Sequence, residues 1–448
     1  MQTLLENPLL LVLVLAVPVL VLVTPFRVGW ILVIAVFAWA DSSMPGVEFA
    51  RRAWVRFAVL LLVALHGAVR LRGRGRAEPP PAPFLLLVVL CFVSLLWADP
   101  FDYPAASTVF LALVLTFLFG FVARLAFTAD AATATVRRVV VVVVALLVVG
   151  LLPFGRADGI FVEGTGRLRG FFNNPNGLGI TCAIVAPFVA VAASRAQGRD
   201  RVLGWTLVTL LAALAFFSGS RTGFGGLIAG VSVSLFVRHP SKYLAGVAVV
   251  GVLAGAATLA RGDVDLEEGA TGNLVRGQTI SRLSGRLDRW MAGFEMWLES
   301  PILGKGYMTS RRIQFVEMKD DGTAAGPDTA GQGINFHSQH VETLVDLGLV
   351  GEGLLLALGV TLARRARQLA RVATDPASAA LGAAYLGTLA AVALDSFFHN
   401  WVLTPGSPFA ILFWSLTAIV ARVERDARHG AVRPLRAEPV PAPEPVVA

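Results

Sequence analysis

The chain is a succession of apolar runs long enough to cross a bilayer, and that leaves few folds open to it. A membrane-spanning helix needs ~20 mostly apolar residues, and within hydrocarbon every backbone polar group must be satisfied inside the protein. Runs near 8–24, 27–43, 57–71, 84–98, 105–127, 137–154, 177–194, 202–218, 222–238, 242–260, 342–363, 378–398 and 406–422 meet that description. With 56% hydrophobic and only 15% charged residues, an ordinary soluble globular chain is excluded. The expected fold is an all-α polytopic membrane protein of about 12–13 transmembrane helices. One large polar loop, containing an amphipathic helix, interrupts it. The organisation expected is an N-terminal bundle over 1–260, a loop over 261–341, C-terminal helices over 342–423 and a Pro-rich tail over 424–448.

Arginine placement gives the orientation. Clusters at Arg137 and Arg138, at Arg195, Arg199 and Arg201, at Arg238 and Lys242, and at Arg364, Arg365, Arg367 and Arg371 alternate onto one side. The positive-inside rule makes that side cytoplasmic, which accounts for most of the net charge of +8 without a nucleic-acid partner. The opposite side then receives Ala98–Pro104, Gly155–Asn176, Ser218–Thr222, the long loop and Phe397–Pro408. Run 57–71 leaves two alternatives open, because it holds His66 between Arg51, Arg52 and Arg56 on one flank and Arg70, Arg72, Arg74 and Arg76 on the other. Spanning would put one basic cluster outside, whereas lying in the interface would keep both cytoplasmic and leave twelve spans. The first run lacks a basic start and a small-residue cleavage site, so no cleaved signal peptide is expected. Ala77–Pro83 and Arg433–Ala448 read as extended linkers. Cys91 and Cys182 lie in apolar runs and read as packing residues, with no disulfide framework or thiolate metal site.

Arginines on the outer side run against the charge bias. Arg156, Arg167, Arg169, Arg221, Arg276, Arg282, Arg286 and Arg289 are either solvated loop residues or the recognition set for an anion, for which a planar guanidinium suits phosphate. Arg221 is the hardest to assign to solvation, since it sits in a short turn between two apolar runs. From about Ser284 to Ser300, Leu283, Leu287, Trp290, Met291, Phe294 and Leu298 recur at helical spacing, with Arg282, Arg286 and Arg289 on an adjoining stripe. Such a helix lies along the membrane surface or packs on the bundle. Pro301 and the glycines of ESPILGKG then end it. His337 and His340 stand where the chain re-enters the membrane, and on a continuous helix, three residues apart, they would face one cleft.

Four motifs in order, RLRGFFNNPNGLG (Arg167–Gly179), FFSGSRTGFGG (Phe216–Gly226), SGRLDRW…ESPILGKG (Ser284–Gly306) and NFHSQHVETLVDLGLVG (Asn335–Gly351), resemble the bacterial O-antigen ligase and O-antigen polymerase family. The likeness covers roughly Gly155–Gly351. It implies a metal-independent, inverting glycosyltransferase without a cofactor, taking a glycan from an undecaprenyl-diphosphate carrier to an acceptor hydroxyl on lipid A-core or on a growing polysaccharide. By motif match Arg221 and Arg286 would bind the diphosphate and His337 would be catalytic. Arg169, Arg282, Arg289 and His340 are expected to add substrate contacts. The family usually has asparagine after its histidine, whereas Ser338 follows here, which leaves His340 as a second candidate for the base.

Asp263-Val264-Asp265 matches the Asp-x-Asp metal pattern of nucleotide-sugar enzymes, but without a soluble nucleotide-binding domain it reads as acidic loop. Gly226–Gly230 forms a GxxxG pattern. His399 and Asn400, beside Trp401, mark an outer helix end. A transporter or flippase for an anionic lipid or sugar is the alternative of another class. It calls for ionisable groups near the midplane, and His66, Asp346, Glu352 and Asp395 are the few available.

Overall fold

The computed structural model describes residues 24–42, 53–71, 78–126, 128–152, 160–162, 165–237, 286–312 and 336–428. The expected spans 8–24 (but for Thr24) and 242–260, Arg156, Arg276, Arg282, the Asp263–Asp265 pattern and the tail from 429 lie outside them. Within the described residues the chain is almost wholly helical: α1 (Phe26–Gly29), α2 (Ile31–Ala40), α3 (Ala53–Arg70), α4 (Ala82–Ser94), α5 (Asp102–Gly120), α6 (Ala129–Val149), α7 (Pro175–Arg195), α8 (Gly198–Phe217), α9 (Arg221–Phe236), α10 (Arg286–Leu298), α11 (Gln339–Val372), α12 (Pro376–Ser396) and α13 (Pro408–Arg428). A two-residue antiparallel hairpin, β1 (Phe161–Val162) with β2 (Arg167–Leu168), caps one end. Six helices, the first extended to Leu125 by a 3-10 turn, are long and apolar enough to cross a membrane, and the protein is a multi-pass membrane protein.

Contacts at the helix ends show that α2–α9 and α11–α13 alternate in direction between two faces. At one face Arg124 reaches Leu71 O, Glu78 N donates to Phe119 O, Arg371 reaches Val237 O, and Arg425 pairs with Glu78 at 3.1 Å. At the other, Ser94 Oγ accepts from Tyr307 N at 3.0 Å, Arg167 donates to Ser218 O at 2.8 Å and Arg56 donates to Gly406 O at 2.6 Å. This favours the spanning alternative for run 57–71: α3 runs from Arg56 at the second face to Leu71 at the first, packed against α2 and α5, with its leading arginine on the site face.

Small residues let the central helices approach closely, as membrane bundles require where no water drives apolar surfaces together. A Cβ on Gly230 would lie 2.9 Å from Gly387 O, and one on Gly387 only 2.2 Å from Gly230 O. The GxxxG pattern is therefore a true α9–α12 contact. Leu61, Leu65, Val69, Leu86 and Val141 are exposed on the outer surface of the bundle, the pattern of helices whose periphery meets lipid. Three site-face helices begin on side-chain caps: Asn174 accepts from Asn176 N, Ser220 from Gly223 N and Ser338 from Val341 N. Each satisfies an otherwise orphan amide.

Candidate functional site at the membrane face

Arg221 is the first residue of α9, directly after the Ser220 cap, rather than a member of a free turn. Arg167 holds this turn in place. Its Nε donates to Ser218 O and its Nη2 to Asn176 Oδ1 at 2.7 Å, so the hairpin, the Ser218–Ser220 turn and the start of α7 are tied together. Arg169 is half-buried on the same hairpin, its amide donating to Ile160 O.

The helix expected over Ser284–Ser300 is found as α10. Trp290 Nε1 donates to Phe336 O at 3.0 Å, and a Cβ on Gly293 would stand 2.4 Å from Val341, so this face lies directly on the entry to α11. Leu287, Met291, Phe294 and Leu298 point the other way and are exposed. The inward face thus carries Trp290 and Gly293 together with half-buried Arg286 and Arg289. The Arg286 guanidinium sits over the Phe398 ring at 5.6 Å, a cation–π contact. Its pKa is lowered first by burial and then by the charges of Arg221 and Arg289, with Asp395 opposing. Three arginines from two segments distant in sequence therefore converge on one place.

The glycines of ESPILGKG and VDLGLVG turn out to be two halves of one contact. Lys305 N and Gly306 N donate to Val345 O and Asp346 O, and Leu349 N and Val350 N donate to Pro301 O and Ile302 O. α11 breaks its helical geometry at Gly348, with φ 64°, and a Cβ there would lie 2.2 Å from Ile302 O. Asp346 completes the clamp by accepting from Met308 N and Ser310 N at 2.8 and 3.0 Å. Glu342 accepts from Arg311 Nε at 2.9 Å and from Asn400 Nδ2, which ties the 397–408 loop to α11.

His337 and His340 do not stand on one continuous helix. α11 starts only at Gln339, after Ser338 in extended conformation, and His337 precedes it at φ 49°. Ser338 must be extended for its hydroxyl to cap the helix, so helical spacing does not apply across it. His340 is held by Glu352 on Nδ1 at 2.7 Å and Ser396 on Nε2 at 3.1 Å, with its ring on Phe397. His337 lies within the arginine field. Burial, followed by Arg289, Arg286, His399 and Arg311, pushes its pKa down to about 3, so the imidazole is neutral at physiological pH.

His399, at the outer helix end, belongs to the cluster through an Asp395–His399 pair at 2.8 Å, with Trp401 Nε1 on the other Asp395 oxygen at 2.6 Å and Thr222 Oγ1 at 3.5 Å from the ring. Its Nε2 is buried with no hydrogen-bond partner among the described residues. The four-residue spacing of Asp395 and His399 at the end of an apolar run was the available signal. Arg311 gave none.

An apolar groove of about 510 Å³ between α11 and α12 begins at His340, Ser396 and Phe397, next to Phe398 beneath Arg286, and continues past Leu356 and Val360. Residues 205–356, which include α9, α10 and the start of α11, match the O-antigen ligase family. The chain is also similar to the exopolysaccharide production protein ExoQ of Rhizobium meliloti (strain 1021), with 28% identity over 245 residues, 51% of this chain and 53% of the relative. It thus spans about half the length of the relative it matches. Over residues 205–356 the chain is thus similar to the O-antigen ligase family, and over about half its length to an exopolysaccharide production protein.

Proposed function

We propose that the protein is a membrane glycosyltransferase that takes a glycan from an undecaprenyl-diphosphate-linked donor and joins it to an acceptor hydroxyl at the site face. The observation that carries this reading is the convergence of Arg221, Arg286 and Arg289 beside a neutral His337. Like charges crowd there, with Asp395 acting against them at Arg286, and a diphosphate suits such a cluster, since paired guanidinium forks match its oxygens. The apolar groove leading away from Phe398 suits the donor's hydrocarbon chain.

In the proposed step the acceptor oxygen attacks the anomeric carbon and forms the new glycosidic bond. The bond from that carbon to the diphosphate oxygen breaks, its electron pair leaving with the diphosphate, and the hydroxyl proton passes to His337. A single displacement of this kind inverts the anomeric centre. Arg221 and Arg286 stabilise the charge that grows on the leaving oxygen, so the reaction proceeds by electrostatic stabilisation and general base catalysis without a metal ion or cofactor. Arg169, Arg282 and His340 complete the substrate contacts of this proposal, His340 at the mouth of the groove.

The opposite face carries Arg70, Arg124, Arg195, Arg199 and Arg371, which supports a cytoplasmic assignment for it and a periplasmic one for the site. The single large outer loop favours ligation to lipid A-core. The exopolysaccharide role named for the relative favours polymerisation as the second reading. A transporter finds less support, because Asp346, Glu352 and Asp395 are engaged in contacts at the site face. Deleting the gene decides between the two glycan readings. Loss of long lipopolysaccharide supports a ligase, loss of secreted polysaccharide supports a polymerase, and no lipid-linked intermediate accumulating in either case would overturn glycan transfer.

A further inference from the structure

A second cavity, of about 870 Å³, opens on the site face and is lined by none of Arg221, Arg286, Arg289 or His337. Its volume falls within the ~300–1,000 Å³ usual for small-molecule sites. It lies between α2, α3, α5 and the 400–409 loop. Its polar lining, Asp41, Arg56, Tyr103, Arg311, Asn400 and Thr404, mixes donors and acceptors of both charges, while Trp401 and Phe57 supply aromatic walls. Hydrogen-bonding groups of both kinds beside aromatic faces suit a ring bearing many hydroxyls and an apolar C–H face. They suit a polyanion less, because Asp41 acts against the charge of Arg56 and Arg311 is already paired with Glu342. Phe57 and Val109, 38% and 50% exposed on the lipid-facing surface, also line the cavity, so it opens sideways to the bilayer.

The cavity meets the arginine cluster across two neighbouring residues. His399 turns toward Asp395 and Thr222, and Asn400 turns toward Glu342 and lines the cavity. Arg311, on the cavity wall, is near enough for its charge to act on His337. We propose that this cavity receives the saccharide end of the membrane-anchored acceptor, so that donor and acceptor approach His337 from opposite sides. This rests on the glycosyl-transfer reading, but it is tested by binding alone.

The purified full chain in lipid nanodiscs is photolabelled with octyl β-D-glucoside carrying a diazirine on the sugar, with octanol carrying the same group as the control. Labelled peptides are identified by mass spectrometry, and binding of undecaprenyl diphosphate is measured separately. Labelling is expected on residues 103–109 and 400–409, competed by unlabelled octyl glucoside but not by undecaprenyl diphosphate. Ala106→Trp, which fills the mouth of the cavity, should lower that labelling by ~10-fold or more, equivalent to about 1.4 kcal/mol of binding, and leave undecaprenyl diphosphate binding intact. If that variant does not fold, as judged by loss of both, Thr404→Val takes its place and should lower glucoside labelling alone. Equal labelling by the octanol probe would make the cavity a hydrocarbon site, and labelling unaffected by the cavity substitutions would place the sugar elsewhere. Either result overturns the proposal. Loss of undecaprenyl diphosphate binding in Arg286→Ala is the separate test of the donor reading.

Discussion

At the scale of single residues, Arg286 is half-buried beside two other arginines, whose charges oppose its own. A lysine would keep the charge but lose the fork that holds two oxygens at once. Arg221→Ala and Arg286→Ala should each lower transfer by ~10²–10³-fold, and the lysine variants should recover only a small part. Near-normal turnover in both lysine variants would show that bulk positive charge suffices. His337 gives a pH signature. With its pKa near 3 in the free protein, it stays unprotonated from pH 8 to well below 6, so kcat/KM for the donor should show no acid limb from this group. Bound diphosphate offsets Arg286 and Arg289 and raises that pKa toward its ordinary value, so kcat should fall on the acid side at higher pH than kcat/KM does. Coincident acid limbs would contradict the arginine field. Both arginines and His337 were singled out by the motif resemblance. The separation of His337 from His340 was not, because a positive φ at a non-glycine residue has no sequence signature and Ser338 reads equally well as helix or cap.

Among the elements, the Pro301–Gly306 turn and the kink of α11 depend on each other. Gly348→Ala combines a left-handed φ with a Cβ 2.2 Å from Ile302 O, and strain of this kind costs ~1–3 kcal/mol before any clash is counted. Thermal unfolding in detergent should show a marked loss for Gly348→Ala and Gly304→Ala. Gly353→Ala, whose Cβ meets nothing within 4 Å, should be neutral or slightly stabilising. Equal stability of all three would refute the clamp. The glycine motifs announced turns in the sequence, but not that they pair, since the hydrogen-bonded partners are 40 to 48 residues apart. Periodicity also found α10 without telling which face turns inward. Arg286, Trp290 and Gly293 face the bundle, and the most apolar stripe is exposed.

Across the whole molecule, the alternation of apolar runs made the helical membrane fold readable, and arginine clusters supply the orientation proposed for it. Run 57–71 was ambiguous because its flanks are equally basic. Contacts of Arg56 with Gly406 and of Leu71 with Arg124, which no local pattern encodes, place its two ends at opposite faces of the bundle. The periplasmic assignment predicts that cysteines at Gly272 and Glu299 react with an impermeant thiol reagent in whole cells, and that one at Gln197 does so only after lysis. Native Cys91 and Cys182 are buried and give little background. The reverse pattern would turn the site to the cytoplasm. The central claim is that chemistry and donor binding are divided between His337 and the arginines, and single-turnover transfer by purified His337→Ala tests it most directly. The account predicts a chemical step slower by ~10²–10⁴-fold with undecaprenyl diphosphate still bound through Arg221 and Arg286. Transfer at the wild-type rate in that variant would contradict it.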